Sequence, residues 1–289
     1  MIVRITGGIG NQMFQYALKL KFDFLLNSNN KIDIRFYDKT NIHNGYELNN
    51  VFKINAEEYN GKIDSVANKN PIFYKICFKI GVHFLKSKCK LTEIRTGFSK
   101  KVFEYKEYND YVDGYWQSEE YFKDIEKKVR NTFQFPEFTE EKNINLMSQL
   151  QNFNSVSIHV RRGDYIGVSR FVALGKTLYY QKAIKYMKEH IEHPLFVVLS
   201  DDISWCKENL DIPLNSIYVD WNQNENSYRD MQIMSKCKHN IIANSSFSWW
   251  GAWLNENVDK IVIAPEHFFN GSIEDDSYII PTSWIKIRA

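Results

Sequence analysis

The feature that most constrains the fold is a regular alternation, after residue 154, of short apolar runs with helix-like segments. The runs are rich in β-branched residues and read SVSIHV, LFVVLS, SIYVD, HNIIAN and KIVIAP. Short buried strands that alternate with helices are typical of a parallel, doubly wound sheet. The sequence therefore predicts a Rossmann-like lobe over residues 151–265.

A second α/β lobe is predicted at the start of the chain. Residues 1–40 contain IVRI, TGGIG, NQMFQYALKLKFDFLLN and KIDIRFY, which indicate a strand, a glycine-rich loop, a helix and a strand. This is the pattern of one βαβ unit. Weaker helical patterns follow near residues 118–133 and 140–151. We assign residues 1–150 to an N-terminal lobe and expect the tail, residues 266–289, to pack back on one of the two lobes.

Charge and cysteine content exclude several classes of protein. The 289 residues carry 37 Lys and Arg against 35 Asp and Glu, and this net charge of +2 gives no general attraction for nucleic acid. Cys77, Cys89, Cys206 and Cys237 are far apart and form no C-x-x-C pair, which argues against a disulfide framework and a zinc site. Because the charges nearly cancel, any anion site must be local. Because the cysteines are expected to be free thiols, a reducing compartment is indicated.

Targeting and membrane signals are weak. The N-terminus, MIVRITGGIGNQ, begins directly with a strand-like run, so no signal peptide is predicted. No apolar run reaches the ~18 residues of a transmembrane helix, and we expect a cytoplasmic protein. Residues 73–90 alternate apolar with basic residues. Two interpretations of this segment stay open. It forms either a membrane-surface helix, with peripheral contact at the inner face of the membrane, or an ordinary half-buried helix or strand pair.

Two adjacent arginines follow the first predicted strand of the C-terminal lobe. In an open parallel sheet, ligands bind beyond the carboxyl ends of the strands, which is where HVRRGDY, residues 159–165, stands. The planar guanidinium groups of Arg161 and Arg162 can grip a pyrophosphate with paired hydrogen bonds. The alternative is structural, with one of the two arginines bonded to Asp164 so that the pair staples the loop.

Acidic residues follow the second strand of the same lobe. Asp201 and Asp202 come directly after LFVVLS. Each carboxylate can accept hydrogen bonds from the paired N–H donors of guanine, or can cap the helix that begins near Ser204. We expect one of the two aspartates in each role.

The segment ANSSFSWWGAWLN, residues 243–255, passes from a strand into helix-capping residues and then into an apolar helix. The free N–H groups and the positive dipole end of that helix would face an anion. Ser245 or Ser246 can equally do no more than cap the helix. The three tryptophans of the segment can simply be core residues, which we expect for two of them.

A glycine-rich segment, GGIGNQMFQYA at residues 7–17, follows the first strand and opens a helix. It lacks the Lys and Ser/Thr of a P-loop, and its spacing departs from G-x-G-x-x-G, so its glycines can also be simple turn formers. The chain contains no Asp-x-Asp, with which many sugar transferases hold a divalent metal on the nucleotide. The paired arginines would replace such a metal, and no metal cofactor is expected.

Taken in order, six segments of the chain resemble the bacterial α-1,2-fucosyltransferase family; they are GGIGNQMFQYA, GYWQSEEYF, HVRRGDY, LSDDISWC, MSKCKHNIIANSSFSWWGAWLN and VIAPEHFF. The H-x-R-R-x-D element is similar to one shared with α-1,6-fucosyltransferases and protein O-fucosyltransferases. The resemblance implies a GT-B type α/β glycosyltransferase with a cleft between two Rossmann-like lobes. It also implies transfer of L-fucose from GDP-β-L-fucose, with inversion, to the 2-hydroxyl of a terminal β-galactose, as in synthesis of a lipid-carried O-antigen repeat.

The resemblance further implies roles for individual residues. The catalytic residues would be Arg161, Arg162, Asp164 and His159. The co-substrate GDP-fucose would be held by Gly8, Gly10, Asn11, Gln12, Asp201, Asp202, Asn244, Ser245, Ser246 and Phe247. The acceptor would be held by Tyr115, Trp116 and Gln117, since aromatic rings stack on sugars and amides hydrogen-bond to them.

The general base is left open by the resemblance. The α-1,6 relatives carry a carboxylate a few residues after the arginine motif, and residues 165–169 of this chain supply none. Only Asp164 and His159 lie near the motif. Two other functions compete with fucosyl transfer, namely a GT-B type transferase for another nucleotide sugar and a non-catalytic carbohydrate-binding protein.

Overall fold

The computed structural model describes residues 1–40, 43–61, 76–77, 79–80, 82, 84–87, 90–94, 97–104, 110–271 and 276–289. The chain forms two compact units. The first comprises Met1–Gln134 and Gly271–Pro281, and the second comprises Phe135–Asn270 and Thr282–Ala289.

The first unit contains one sheet. Its strands are β1 (Ile2–Arg4), β2 (Lys31–Asp33), β3 (Phe84–Ser87), β4 (Lys90–Glu93) and β5 (Tyr111–Asp113), and its helices are α1 (Ile9–Leu26), α2 (Leu48–Phe52) and α3 (Glu126–Thr132). Within the described residues the strand order is β2-β1-β5-β4-β3, parallel except for the β3–β4 pair. The predicted βαβ unit is confirmed by the parallel pairing of β1 with β2 on either side of α1.

The second unit contains a parallel sheet with helices between its strands. The strands are β6 (Asn154–Val160), β7 (Pro194–Ser200), β8 (Ile217–Val219), β9 (His239–Ile241), β10 (Val262–Pro265) and β11 (Ile285–Ile287). The helices are α4 (Glu141–Leu150), α5 (Tyr179–His190), α6 (Ile203–Asn209), α7 (Tyr228–Lys236) and α8 (Ser246–Leu254). The strand order β11-β10-β9-β6-β7-β8 reverses direction between β6 and β9, which is the topological switch point of a Rossmann sheet.

Alternation along β6 separates the two faces of this sheet. Val156, Ile158 and Val160 are buried in an apolar cluster with residues of α5 and α6. The intervening His159 instead stacks on Phe247 of α8. Successive side chains that follow β6 therefore alternate between the face that carries α6 and the face that carries α8.

The three tryptophans of α8 are all core residues. Trp249 and Trp250 are fully buried, and Trp253 is nearly so. The alternative of a purely structural role, expected for two of them, thus holds for all three. Their burial fixes the helix whose first turn lies at the switch point.

The structural division of the chain falls earlier than the predicted boundary at residues 150 and 151. Helix α4 belongs to the second unit, where Asn143 hydrogen-bonds with Asn222 and accepts from Trp221 Nε1 at 2.7 Å. The predicted tail is shared, because residues 271–281 belong to the first unit whereas β11 pairs with β10 in the second.

The basic segment at residues 73–90 lies largely outside the described residues. Its described end forms β3, paired antiparallel with β4, so the helix alternative does not extend over residues 84–87. Among the described residues, none of the helices has the length and apolar character needed to span a bilayer. Cys77, Cys206 and Cys237 are buried free thiols.

Candidate active site

The switch point of the second unit brings together the two motifs that the sequence places beyond its strands. HVRRGDY continues from β6, and the Asn244–Phe247 segment follows the adjacent strand β9. A ligand at the carboxyl edge of a parallel sheet would meet both segments. The predicted cluster of donor residues in this lobe is therefore spatially contiguous.

Arg161 is held between two carboxylates. Its Nε donates to Asp164 Oδ1 at 2.8 Å, and its Nη1 lies 3.2 Å from Asp201 Oδ2. Burial opposes the charge of Arg161, but these two carboxylates outweigh burial and raise the pKa of the guanidinium. The structural alternative considered for the arginine motif is thus realised by Arg161 and Asp164.

Arg162 points to the opposite side. Its Nε donates to Asp202 Oδ2 at 3.0 Å, and its guanidinium lies over the ring of Trp205, 4.3 Å from the ring centre. Parity along β6 explains the difference, since Arg161 continues the side of His159 and Arg162 continues the side of Val160. The two adjacent arginines are therefore not equivalent.

The aspartates after β7 support the arginine turn. Asp201 accepts the backbone N–H of Arg162 through Oδ1 at 2.9 Å and that of Gly163 through Oδ2 at 3.0 Å. Asp202 caps α6, accepting the backbone N–H of Trp205 at 3.0 Å. The expected capping role thus belongs to Asp202, and both carboxylates are engaged within the loops, which leaves the predicted contact with guanine without support from this geometry.

His159 is unsuited to the predicted role of general base. Its side chain is buried, and burial together with the positive charge of Arg161 lowers the pKa of the imidazole to about 3. An effective base has a pKa near the working pH. His159 is therefore a neutral ring at physiological pH, and its Nδ1 is buried without a hydrogen-bond partner among the described residues.

The segment that opens α8 combines capping with loop anchorage. Ser245 is the N-cap and accepts the backbone N–H of Phe247 at 3.3 Å, and Ser246 is the first residue of the helix. Asn244 is buried, and its Nδ2 donates to the carbonyls of Val172 and Phe268, both at 3.0 Å. The side-chain amide N–H groups of Asn244 thus serve the protein itself, whereas the first turn of α8 remains suited to an anion.

Two residues near this site were missed by sequence analysis. Tyr165 stacks on Phe171 with ring centres 4.0 Å apart, and its hydroxyl is hydrogen-bonded with the side chain of Ser245. Asp230 lies on α7, accepts Asn222 Nδ2 at 2.9 Å, and has its pKa raised to about 7 by burial. The available signal for Asp230 was that it is the one acidic residue of YRDMQIMSK.

Helix α7, which carries Asp230, packs closely against α8. A Cβ built on Gly251 would come 2.8 Å from the Cβ of Met234, so α7 and α8 pack closely at these positions. Both helices run away from the carboxyl edge of the sheet. Asp230 and Phe247 each lie one turn before these positions on their own helix.

In the first unit, the glycine-rich loop lies at the β1–β5 switch point and opens α1. Gly8 is the N-cap of α1, and Gly10 is buried within the first turn. Gln12 is fully buried; its Nε2 donates to the carbonyls of Gly7 at 3.0 Å and Gly45 at 2.8 Å. Its side chain therefore shapes the loop, and the predicted contact of Gln12 with the donor would require these bonds to be replaced.

Glu47 completes the start of α1 and was also missed by sequence analysis. Its carboxylate accepts the backbone N–H of Ile9, while its own N–H donates to Gln12 Oε1 at 2.9 Å. Burial raises the pKa of Glu47. Because Gly8 offers no side-chain cap, this distant carboxylate takes that role.

The predicted acceptor residues follow β5 at the same switch point. Gln117 Nε2 donates to Asn11 Oδ1 at 2.7 Å, so two predicted ligand-binding amides are paired. Tyr115 is 40% exposed and retains an accessible ring. Trp116 is fully buried, with its ring edge-on to Tyr121 at 5.8 Å. The predicted stacking of Trp116 on a sugar is therefore corrected, since the indole has no free face.

No group of three or more His, Cys, Asp or Glu side chains within the described parts of the chain is arranged to hold a metal ion. Independence of a metal stays a prediction.

Two α/β units with mostly parallel sheets, the second with the strand order of a Rossmann sheet, form the fold of the GT-B type. The structural neighbours agree. Fucosyltransferase NodZ from Bradyrhizobium superposes with a TM-score of 0.53 and 11% identity, over 86% of this chain and 90% of that chain. NodZ α-1,6-fucosyltransferase soaked with GDP-fucose gives a TM-score of 0.51 and 12% identity, over 88% of this chain and 91% of that chain.

The chain belongs to Glycosyl transferase family 11, which it matches over residues 1–288. It is similar to an α-1,2-colitosyltransferase of Escherichia coli, with 33% identity over 100% of this chain and 99% of the relative. The O-antigen biosynthesis glycosyltransferase WbnK of Escherichia coli is 31% identical over 98% of this chain and 99% of the relative. Human galactoside α-(1,2)-fucosyltransferase 1 is 26% identical over 62% of this chain and 52% of the relative.

Proposed function

We propose that this protein transfers L-fucose from GDP-β-L-fucose to the 2-hydroxyl of a terminal β-galactose, with inversion at the anomeric carbon. The observation that carries the proposal is the buried, unpartnered Nδ1 of the neutral His159, adjoining two arginines at the switch point. A buried polar atom without a partner in the protein indicates a partner in the ligand. A nucleoside diphosphate has a nucleobase at one end and a diphosphate at the other. The neutral imidazole could hydrogen-bond to the nucleobase, and the neighbouring arginines could bind the diphosphate.

Arg161 is the proposed contact to the diphosphate. It lies on the side of His159. Its guanidinium lies over the ring of Tyr165, whose hydroxyl is hydrogen-bonded with Ser245, the N-cap of α8. A guanidinium and a helix N-terminus together would stabilise the negative charge that grows on the β-phosphate as the glycosidic bond breaks. Arg162, on the other side of the turn, supports the geometry.

Guanine recognition is assigned to His159 and Asp230. The carboxylates of Asp201 and Asp202 are occupied by the arginine turn and α6. Asp230 lies on α7, which packs closely against α8, and a carboxylate matches the paired N–H donors of guanine. The neutral ring of His159 supplies one further donor or acceptor.

Asp164 is the proposed general base. It is 48% exposed on its side chain and bonded to Arg161 through one oxygen, so its second oxygen remains accessible. A carboxylate within reach of the acceptor hydroxyl would remove its proton as the bond to the anomeric carbon forms. His159, with its low pKa, does not compete for this role.

The acceptor is proposed to be a β-galactoside in a surface polysaccharide. This rests on relatives whose names specify α-1,2 transfer, galactosides and O-antigen biosynthesis. The exposed ring of Tyr115 and the amide pair of Gln117 and Asn11 are the groups that would bind a neutral sugar. An O-antigen repeat on its lipid carrier would place the reaction at the cytoplasmic face of the membrane.

A second candidate is transfer of colitose, favoured by the full-length similarity to the α-1,2-colitosyltransferase. Colitose is the 3-deoxy analogue of L-fucose, so the same diphosphate chemistry serves both donors. The two candidates differ in whether the site hydrogen-bonds the 3-hydroxyl of the donor sugar. A site built for that hydroxyl rejects the analogue lacking it by ~10⁴-fold or more.

The test is a donor panel with the purified protein. GDP-fucose, GDP-colitose, GDP-mannose and UDP-galactose are each incubated with Galβ1,3 and Galβ1,4 acceptors, and release of nucleotide is measured. We expect turnover with GDP-fucose and an α-1,2 linkage by NMR of the product. Another linkage, or nucleotide release without acceptor dependence, would contradict the proposal; preference for GDP-colitose would select the second candidate.

A further inference from the structure

The stack between Arg162 and Trp205 is tight for a contact of its kind. At 4.3 Å from guanidinium carbon to ring centre, it is shorter than every other cation–aromatic contact recorded within the described residues. The next shortest in the same unit is Arg170 over Phe269 at 4.8 Å. An arginine held this close over an indole loses side-chain freedom.

Asp202 fixes both members of this stack. One carboxylate oxygen accepts Arg162 Nε at 3.0 Å, and the other accepts the backbone N–H of Trp205 at 3.0 Å. The carboxylate thus sets the guanidinium and the start of α6 in one arrangement. Neither terminal nitrogen of Arg162 has a hydrogen-bond partner in the described part of the chain.

Gly175 closes the remaining side. A Cβ at this position would come 2.9 Å from Arg162 Nη1 and 3.2 Å from Cζ2 of Trp205. Any side chain at residue 175 would therefore displace the guanidinium or the indole. Glycine here is required by close approach rather than by backbone conformation.

We propose that Trp205 is a positioning residue of the donor site, acting through Arg162. The indole and Asp202 hold the guanidinium of Arg162 in one orientation. The same arrangement holds the turn from which Arg161 reaches the diphosphate, because Asp201 binds the backbone of Arg162 and the side chain of Arg161. This inference rests on the proposed use of GDP-fucose.

The experiment is a double-mutant cycle read out by GDP affinity. Calorimetry gives the dissociation constant of GDP for wild type, Trp205→Leu, Arg162→Lys and the double variant, and steady-state assays give kcat and KM for GDP-fucose. We expect Trp205→Leu to weaken GDP binding ~10-fold, in keeping with a desolvated cation–π contact. Because Trp205 acts through Arg162, adding Trp205→Leu to Arg162→Lys should cost less than ~2-fold more.

Two further variants probe the geometry without removing either partner. Gly175→Ala should reproduce most of the Trp205→Leu effect, since it displaces Arg162 Nη1. Trp205→Phe, which keeps an aromatic face, should retain GDP affinity within ~3-fold. Both variants keep the test valid if Trp205→Leu lowers the melting temperature.

A second cation–aromatic contact, made by a lysine of the same helix, gives the control. Lys207 of α6 lies over the ring of Tyr218 at 5.5 Å, away from the arginine turn. Tyr218→Leu removes a stack of the same type and should leave GDP affinity within ~2-fold of wild type. A loss equal to that of Trp205→Leu would show that both act through general stability, and would overturn the proposal.

The remaining outcomes separate this inference from the proposed function. Wild-type protein that binds GDP while Trp205→Leu binds it equally well would overturn the role of Trp205 alone. Additive losses in the double variant would show that Trp205 does not act through Arg162. Wild-type protein that binds no GDP would overturn the proposed function, and the role of Trp205 with it.

Discussion

The imidazole of His159 stacks on the phenyl ring of Phe247, with ring centres 5.3 Å apart and planes inclined by 29°. The contact joins the end of β6 to the first turn of α8 across the switch point of the sheet. It therefore couples the two motifs that were expected to bind the donor. It also buries the imidazole, and this determines the charge that His159 carries.

The burial of His159 predicts acid sensitivity of the fold. With the pKa of the folded protein at about 3, the unfolded chain binds a proton below pH 6.5 that the native state does not. Stability is thus lost as the pH falls from 6.5 toward 3, by about 2 kcal/mol between pH 6.5 and 5. His159→Phe keeps a stacking ring and abolishes this contribution. Urea unfolding at both pH values should show a smaller loss for the variant, and parallel losses would contradict the assignment.

Gly7 is predicted to be irreplaceable for two separable reasons. Its φ of +79° disfavours any side chain, and a Cβ would come 2.8 Å from Asn11 Nδ2. Gly45 has a φ of +76° but nothing within 4 Å of the added carbon. Gly45→Ala should therefore cost roughly 1–2 kcal/mol of unfolding free energy, and Gly7→Ala measurably more. Equal losses in urea titrations would show that the contact with Asn11 relaxes freely.

Activity is predicted to survive chelation. In the proposed reaction, Arg161 and the N-terminus of α8 would supply the positive charge that a metal would otherwise place on the leaving diphosphate. Turnover in excess EDTA should match turnover in EDTA already saturated with Mg²⁺, a control for direct inhibition by the chelator. Complete loss in EDTA, restored by a single divalent ion, would contradict this prediction.

Asp164 can be tested with two substitutions that differ in one property. Asparagine keeps an oxygen that accepts Arg161 Nε, whereas alanine loses it; neither can act as a base. If Asp164 is the base, Asp164→Asn should lower kcat by ~10²–10⁴-fold with GDP affinity nearly unchanged. Near-normal turnover in Asp164→Asn, with impairment only in Asp164→Ala, would reduce the residue to orienting Arg161.

The sequence predicted the strands of the second unit because their buried β-branched runs are local signals. SVSIHV and LFVVLS are the interior strands β6 and β7, and the parallel arrangement follows from the alternating helices. The sequence also predicted that HVRRGDY and NSSF lie at one site, because each motif comes directly after one of two neighbouring strands. Strand order beyond this, including the addition of β11 from the tail, depends on long-range pairing that no local pattern specifies.

Side-chain partners far apart in sequence were the least predictable part. Asp201 accepts two backbone N–H groups 38 and 39 residues away, and such acceptors carry no motif of their own. Trp116 was expected to meet a sugar, but its left-handed backbone, with φ at 55°, accompanies complete burial of its indole. Composition suggests aromatic binding at GYWQ, whereas only the fold decides which ring is accessible.

The two arginines are predicted to respond differently to the same substitution. In the proposed reaction, negative charge develops on the β-phosphate as GDP departs, so a fixed cation beside it would stabilise the transition state more than the ground state. Arg161 lies on the side of His159 and α8, and its guanidinium offers paired donors that an ammonium on a flexible stem cannot reproduce. Arg161→Lys should therefore lower kcat by ~10²-fold or more, in line with the loss of one preorganised donor to a developing oxyanion.

Arg162→Lys is the matched control for that variant, since it makes the same change on the side of Trp205. It should act mainly on GDP affinity and on the stability of the turn, with a smaller effect on kcat, because its guanidinium is committed to Asp202 and the indole. Steady-state kinetics and melting temperatures of both variants make the comparison. If both melt near the wild-type temperature and retain most of their kcat, the diphosphate binds elsewhere; if Arg162→Lys alone abolishes turnover, the two arginines exchange roles.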